Sequence, residues 1–235
     1  MSEARFQFQQ GLKDVLPVAI GLTVIGFFFG ISARAAGLNW AETGLMSALV
    51  YAGPSQFVAI GLLQQGAVYS SIVFTTLIVN LRYVLYATSL GQHLKDRSPG
   101  WLSLIGFGLV DAVYALSIAD CLRNPSRPRK DMYYLGASAF VYLTWIPASI
   151  LGGMVITALP EIRNLGLEFI NPAVYITLLI PLMKSWVEVV IAILAVPVII
   201  LASSFLPHVH AVLVSMIMLI LTGGYIRWLR QPSLD

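Results

Sequence analysis

The amino-acid sequence predicts an all-α membrane protein, a polytopic bundle of about eight helical segments. Of its 235 residues, 58% are hydrophobic and only 11% are charged, and the mean hydropathy is +0.82. Soluble domains carry about 25% charged residues. Three long stretches, 43–81, 132–160 and 189–226, contain no Asp, Glu, Lys or Arg, and a helix needs about 20 apolar residues to cross the hydrocarbon layer. The composition excludes a soluble or disordered chain, and a single cysteine excludes an internal disulfide framework.

We expect one transmembrane domain over residues 1–235. The two longest uncharged stretches each hold two spans, because Gly66 and Pro207 interrupt them with turn or breaker signals. The expected spans lie near 15–33, 43–64, 67–91, 101–119, 133–158, 169–183, 185–204 and 208–226. The first apolar run differs from a short, cleavable secretory signal, so we expect it to be retained.

The basic residues indicate the orientation, because cytoplasmic loops hold an excess of Lys and Arg. With an even number of spans and both termini in the cytoplasm, most of the 14 Lys and Arg residues lie inside, including the basic loop 123–130. The outer side holds Arg34, Lys95, Arg97 and Arg163. Because the basic residues are spread over several loops, we expect membrane lipid around the chain and no nucleic-acid partner.

Two prolines inside the expected spans share a setting. Pro54 and Pro172, 118 positions apart, each have an aromatic residue three positions before and three positions after. The residue before a proline avoids the α region and proline suits a first helical turn, so each site predicts two half-helices that meet at mid-span. Paired breaks of this kind indicate a transporter's binding site and suggest a parallel internal duplication. The alternative at each proline is a simple helix kink.

Polar and charged residues lie deep in the third and fourth expected spans. Arg82 follows Asn80 near the middle of 67–91, where a charged side chain costs at least about 2.5 to 3.5 kcal/mol. Asp111 lies near the middle of the next span, and the short loop makes the two spans neighbours, so we expect the two charges to pair. Tyr86 lies on the same helical face as Arg82. Two interpretations stay open: a substrate site, or a pair that only fixes packing.

No catalytic or cofactor motif accompanies these residues. Gly53 to Ser55 resembles the Gly-x-Ser of an intramembrane serine protease, which needs a histidine base at matching depth. The three histidines lie at or beyond span ends, at His93, His208 and His210. The sequence also lacks a metal-binding helix motif and a phosphate-binding loop. We therefore predict a protein that is not an enzyme and uses neither a metal nor another cofactor.

The same residues resemble the AzlC family of bacterial branched-chain amino acid exporters. The similarity covers most of the chain and rests on five groups: 53–57, 80–82 with Leu85-Tyr86, Asp111 after Leu109-Val110, Trp145 with Gly152-Gly153, and 166–169. It implies export of valine, leucine, isoleucine or other small aliphatic amino acids by a secondary transporter of the bacterial inner membrane. It also implies a small AzlD-like membrane subunit as the partner.

These observations combine into one hypothesis for the site. The half-helix that begins at Gly53-Pro54 would hold the substrate carboxylate at its positive end, together with Ser55 and Gln56. The other expected site residues are Asn80, Arg82, Tyr86 and Asn171, with Asp111 as charge partner or carrier of a coupled proton. The rival hypothesis is a structural or assembly subunit that transports nothing, in which polar side chains join helices.

Overall fold

The computed structural model describes residues 2–94, 97–158 and 186–205, together with positions 176 and 218. Every regular element in these ranges is an α-helix, which confirms the predicted fold class. In chain order the helices are α1 (Glu3–Ala35), α2 (Trp40–Leu49), α3 (Gly53–Gln64), α4 (Tyr69–Asn80), α5 (Arg82–Gly91), α6 (Pro99–Phe107), α7 (Asp111–Arg123), α8 (Lys130–Ala158) and α9 (Trp186–Phe205). Asn171, Pro172 and the expected spans 169–183 and 208–226 lie outside the described residues, apart from the two isolated positions.

The chain divides into two compact units, Met1–Pro172 and Ala173–Asp235. Helices α1 to α8 belong to the first unit, which holds the candidate site. Helix α9 belongs to the second unit and has 20 residues with Pro197 in its interior. Its bounds agree with the expected span 185–204.

Helices α1 and α8 form the core of the first unit and run parallel to each other. Gly11 lies against the backbone carbonyl of Tyr133, and Gly30 lies against that of Ser149. The residue numbers therefore increase in the same direction along the two helices. A Cβ atom at either glycine would overlap the facing backbone. Glycine therefore allows an approach between the two backbones that a larger residue would prevent.

In the described part of the chain, three helical segments are long and apolar enough to cross a membrane. They are Glu3–Ala35, Tyr69–Gly91 and Lys130–Ala158. The second combines α4 and α5, which meet at Leu81 with backbone angles (φ −55°, ψ −25°) that stay in the helical region. These segments correspond to the expected spans near 15–33, 67–91 and 133–158.

Two other expected spans are divided within their length. The span 43–64 consists of α2 and α3, and the chain breaks at residues 50–52, directly before Gly53-Pro54 as the sequence predicts. The span 101–119, which we expected to be one segment, ends at Phe107 and begins again at Asp111. A carboxylate in the first turn of a helix is stabilised by the helix dipole, which favours a helix start at Asp111.

Candidate functional site

The side chains of Ser55 and Gln56 are fully buried and close the first break, at residues 50–52. The Ser55 hydroxyl donates to the carbonyl of Ala52 (2.9 Å), and the Ala52 amide donates to Gln56 Oε1 (3.2 Å). Gln56 Nε2 in turn donates to Ser47 Oγ in α2 (3.4 Å). The two polar residues that the sequence assigns to the substrate therefore join the ends of α2 and α3 in this structure.

Two tyrosines fasten the same break to α8. Tyr51 has a positive φ of 43°, which is unusual for a side chain of this size. Its hydroxyl donates to the Ser138 carbonyl (3.4 Å), and its ring meets that of Tyr142 edge to face at 4.9 Å. The Tyr142 hydroxyl donates to the Ala48 carbonyl (3.0 Å), one of the carbonyls that a helix end leaves without an intrahelical partner. The break is thus held by partners from α8.

The second break, at residues 108–110, also packs on α8. Ser138 Oγ donates to the Gly108 carbonyl (3.0 Å), and the Tyr134 hydroxyl donates to the Ile105 carbonyl (2.8 Å). A Cβ at Gly108 would overlap the Ser138 hydroxyl. Ser138 therefore contacts both breaks, the first through its carbonyl and the second through its hydroxyl.

A charged pair lies at the starts of α5 and α7. Arg82 Nη2 is 3.2 Å from Asp111 Oδ2, and the two side chains are 25% and 41% exposed. The Tyr86 hydroxyl donates to Asp111 Oδ1 (3.0 Å). The ion pair that the sequence predicts is present, and Tyr86 lies on the same side as predicted.

Aromatic residues that the sequence analysis did not assign surround this pair. Arg82 Nη2 donates to the Tyr83 hydroxyl (3.3 Å), and its guanidinium lies 5.0 Å from the centre of the Tyr83 ring. The rings of Tyr86 and Tyr114 stack at 4.1 Å with an interplanar angle of 9°, and the Tyr114 hydroxyl donates to Ser89 Oγ (3.2 Å). Tyr114 follows the aspartate by three positions, so helical periodicity could have placed it on this face.

Two buried polar atoms in this region have no hydrogen-bond partner among the described residues. They are Oδ1 of Asn80, the last residue of α4, and Nε of Arg82, the first residue of α5. Buried polar atoms in proteins are almost always paired, because an unpaired one keeps its full desolvation cost. Arg82 Nε is thus an unused donor on the side chain that pairs with Asp111, whereas Asn80, two positions earlier on a nearly continuous helical segment, does not share its face.

The structure thus brings together three of the predicted site residues, Arg82, Tyr86 and Asp111, with Asn80 close in the chain. Residues 53–56 form a separate group of contacts at the first break. The described residues contain no cluster of three or more His, Cys, Asp or Glu side chains that could hold a metal ion.

The helices form a largely apolar bundle, two of the expected spans are interrupted, and an ion pair lies where two helices begin. These features define an integral membrane protein with polar groups inside its helical part. The AzlC protein family matches residues 17–159. The chain belongs to the AzlC family, which confirms the resemblance drawn from its motifs.

Several proteins are similar to this chain over most of its length. A membrane protein of Archaeoglobus fulgidus is 31% identical over 180 residues, which cover 76% of this chain and 77% of that protein. The inner membrane protein YgaZ of Escherichia coli is 29% identical over 178 residues, 74% of this chain and 72% of its own. The branched-chain amino acid transport protein AzlC of Bacillus subtilis is 24% identical over 181 residues, 77% of this chain and 68% of its own. No solved structure matches the chain.

Proposed function

We propose that this protein is a secondary transporter that exports branched-chain and other small aliphatic L-amino acids, driven by the proton gradient. Membership of the AzlC family, and similarity to a protein named for branched-chain amino acid transport, support a role in membrane transport. Similarity to an E. coli inner membrane protein supports a location in the bacterial inner membrane. The proposed multi-pass arrangement with both termini in the cytoplasm rests on the apolar stretches and on the distribution of Lys and Arg. A small AzlD-like membrane subunit is the proposed partner.

The observation that carries this proposal is the ion pair of Arg82 and Asp111, in which Arg82 keeps an Nε donor without a partner among the described residues. An amino acid is a zwitterion, and its carboxylate needs donors while its ammonium group needs acceptors. Arg82 offers its Nε, which has no partner among the described residues, to the carboxylate, and the Asp111 carboxylate offers an acceptor to the ammonium group. Asn80 remains a proposed lining residue of the site. Charge-assisted hydrogen bonds of this kind are stronger than neutral ones.

The remaining predicted residues take supporting roles in this proposal. Residues 53–56 form a separate group of contacts, so we propose that they hold the substrate carboxylate in a different step from Arg82, after the bonds of Gln56 to Ser47 and Ala52 exchange for bonds to the substrate. Asn171 has the corresponding role in the second half of the chain. Packing against the aliphatic side chain separates substrates that differ by one methylene by only about 1 to 3 kcal/mol, so several branched-chain amino acids share the site.

Asp111 is the proposed carrier of the coupled proton. Its carboxylate accepts from Tyr86 and pairs with Arg82, and its side chain is 41% exposed. Protonation removes the negative charge that the substrate ammonium group would bind, so a proton and the substrate compete at Asp111. Competition of this kind couples entry of a proton to exit of the substrate.

A double-mutant cycle separates a substrate site from a purely structural ion pair. The variants are Arg82→Ala, Asp111→Ala and the combination, with Arg34→Ala as a control, because Arg34 bonds to Thr157 at the far end of α1. The measurements are efflux of radiolabelled valine from cells that also express the small subunit, and the amount and melting temperature of inserted protein. A hydrogen bond to a charged group contributes about 1.5 to 3 kcal/mol, so each single variant should lower efflux about tenfold or more.

The combined variant is decisive. Removal of both charges leaves neither one unpaired in the membrane, so its melting temperature should recover relative to the single variants. We expect its efflux to remain as low as that of the single variants, while the control transports normally. Normal efflux by the combined variant would show that the pair only fixes packing. Omission of the small subunit, or collapse of the pH gradient, should also abolish efflux by the unmodified chain.

A further inference from the structure

We propose that α2–α3 and α6–α7 are two re-entrant hairpins, which enter the membrane from opposite faces and meet on α8 at Ser138. The eight-span arrangement expected from the sequence treats each of these helix pairs as a full crossing. In the new topology neither pair crosses. The direction of each helix relative to α8 supports this topology, which does not depend on what the protein transports.

The first arm of the first hairpin, α2, runs antiparallel to α8. Trp40, at the start of α2, packs against Gly153 near the C-terminal end of α8. Tyr51, just beyond α2, donates to the carbonyl of Ser138, which lies closer to the N-terminal end of α8. The chain therefore enters beside the C-terminal end of α8, and the hydroxyl of Tyr51 reaches Ser138, which lies about 12 Å from the N-terminal end of α8 at 1.5 Å per residue.

The second arm, α3, returns to the same side. Helices α4 and α5 form a nearly continuous segment of 23 residues, about 34 Å long. This segment ends six positions before Arg97, which pairs with Asp131 (3.0 Å) at the N-terminal end of α8. Tyr69, at the opposite end of the segment, must then lie toward the C-terminal end of α8. A four-residue loop joins Tyr69 to Gln64, so α3 ends on the side from which α2 entered.

The second hairpin enters from the other face. Trp101 Nε1 donates to Asp131 Oδ2 (3.1 Å), and the Gly108 carbonyl accepts from Ser138 Oγ (3.0 Å). The residue numbers of the partners on α8 increase along α6, from Asp131 to Ser138. Helix α6 therefore runs parallel to α8 and begins at the N-terminal end of α8. With nine residues, α6 is about 14 Å long, less than half of the roughly 30 Å hydrocarbon layer.

The helix α7 leads back to the face from which α6 entered. Arg127, in the loop that follows α7, pairs with Asp120 (2.8 Å) and donates to Gln7 Oε1 (2.6 Å) at the start of α1. Because α1 and α8 are parallel, the start of α1 lies at the N-terminal end of α8. The loop 124–129 then leads directly into α8. Both ends of the α6–α7 pair therefore lie at this one end.

The tips of the two hairpins touch. The ring of Tyr51 stacks on that of Phe107 at 6.4 Å, and Ser138 bonds to both tips. The new topology also corrects the expected position of Arg97 on the outer side, because Arg97 and Arg129 share Asp131 at 3.0 and 3.2 Å. With Arg97 at the N-terminal end of α8, that end holds a larger excess of positive charge. Such an excess favours a cytoplasmic location for that end.

Cysteine accessibility distinguishes the two topologies. In a Cys121→Ser background, which has no other cysteine, single cysteines replace Gln65 in the α3–α4 loop and Gln92 after α5. Reference cysteines replace Ser2 before α1 and Ala35 at its end; all four positions are exposed. Intact cells that express the full chain and the small subunit are treated with a membrane-impermeant maleimide before and after permeabilisation. Ala67→Cys and Ser98→Cys repeat the test in the same two loops if a first variant fails to insert.

The expected result groups position 65 with position 35 and position 92 with position 2. The eight-span topology gives the opposite grouping, with position 65 on the side of position 2 and position 92 on the side of position 35. That result overturns the hairpin topology. So does any result in which position 65 lies on the opposite side from position 35, or position 92 on the opposite side from position 2. Labelling of cysteines does not require transport. A result that overturns the hairpin topology therefore leaves the proposed function untouched, and a negative valine efflux test leaves the hairpin topology untouched.

Discussion

Single glycines decide how closely α1 and α8 approach. Gly30 faces the Ser149 carbonyl with no room for a Cβ atom, whereas nothing lies within 4 Å of the Cβ position at Gly21 on the same helix. Helices in lipid associate mainly through van der Waals contact and hydrogen bonds, so close approach matters more than burial of apolar area. The two glycines therefore have the same intrinsic helix propensity and opposite packing roles.

We expect Gly30→Ala to destabilise the protein and Gly21→Ala to leave it unchanged or slightly more stable. The added methyl at position 30 must push the backbone of α8 away, and overpacking of this kind costs about 1 to 3 kcal/mol. At position 21 alanine only improves helix propensity, by up to about 1 kcal/mol. Thermal unfolding of the purified variants in detergent measures both effects. Equal melting temperatures for the two variants would contradict this account of the interface.

The charged pair is the part of the site that the sequence could predict at the residue scale. An arginine deep in an apolar span needs a partner, and Asp111 is the acid in the neighbouring span. Tyr83 carried no comparable signal, because tyrosines of membrane helices are often interfacial residues, whereas the position of Tyr114 three residues after Asp111 could have placed it on this face. That Asn80 Oδ1 and Arg82 Nε have no partner among the described residues depends on three-dimensional contacts that the sequence does not state.

At the scale of elements, the two breaks differ in how far local sequence determines them. The break before Gly53-Pro54 follows from the backbone restrictions of proline and could be predicted. The break at residues 108–110 contains no proline. Its carbonyl groups are satisfied by Ser138 and Tyr134 from α8, about 30 positions further along the chain. Tertiary partners of this kind stabilise an interruption that local propensity alone does not predict.

The hydroxyl of Tyr142 gives a direct test of this support. Tyr142→Phe removes the donor to the Ala48 carbonyl at the end of α2, a part-buried hydrogen bond, and loss of such a bond costs about 0.5 to 1.5 kcal/mol. We expect a lower melting temperature and faster amide hydrogen exchange in residues 47–53. Tyr69→Phe is the matched control, because the Tyr69 side chain is 79% exposed. If the two variants behave alike, the break does not depend on this hydrogen bond.

At the scale of the whole molecule, the contact of α1 with α8 is reciprocal. Gly136 of α8 faces the carbonyl of Phe8, just as Gly11 of α1 faces that of Tyr133, and the two contacts are related by a shift of 125 positions. A second pair of contacts, Gly30 with Ser149 and Gly152 with Phe27, is related by a shift of 122. These shifts are close to the 118 positions between Pro54 and Pro172, and the parallel internal duplication remains a prediction.

Reciprocity makes the effects of glycine substitutions at one crossing interdependent. Gly30→Ala and Gly152→Ala each force the same two backbone segments apart, so the combined variant should lose less stability than the sum of the two, by about 0.5 to 3 kcal/mol. Gly11 lies 19 positions before Gly30, about 28 Å along α1. Substitutions at positions this distant usually add within about 0.5 kcal/mol. Unfolding free energies in detergent are measured for the single variants, for Gly30→Ala combined with Gly152→Ala, and for Gly30→Ala combined with Gly11→Ala. If the losses of stability add in both combined variants, Gly30 and Gly152 do not share one contact.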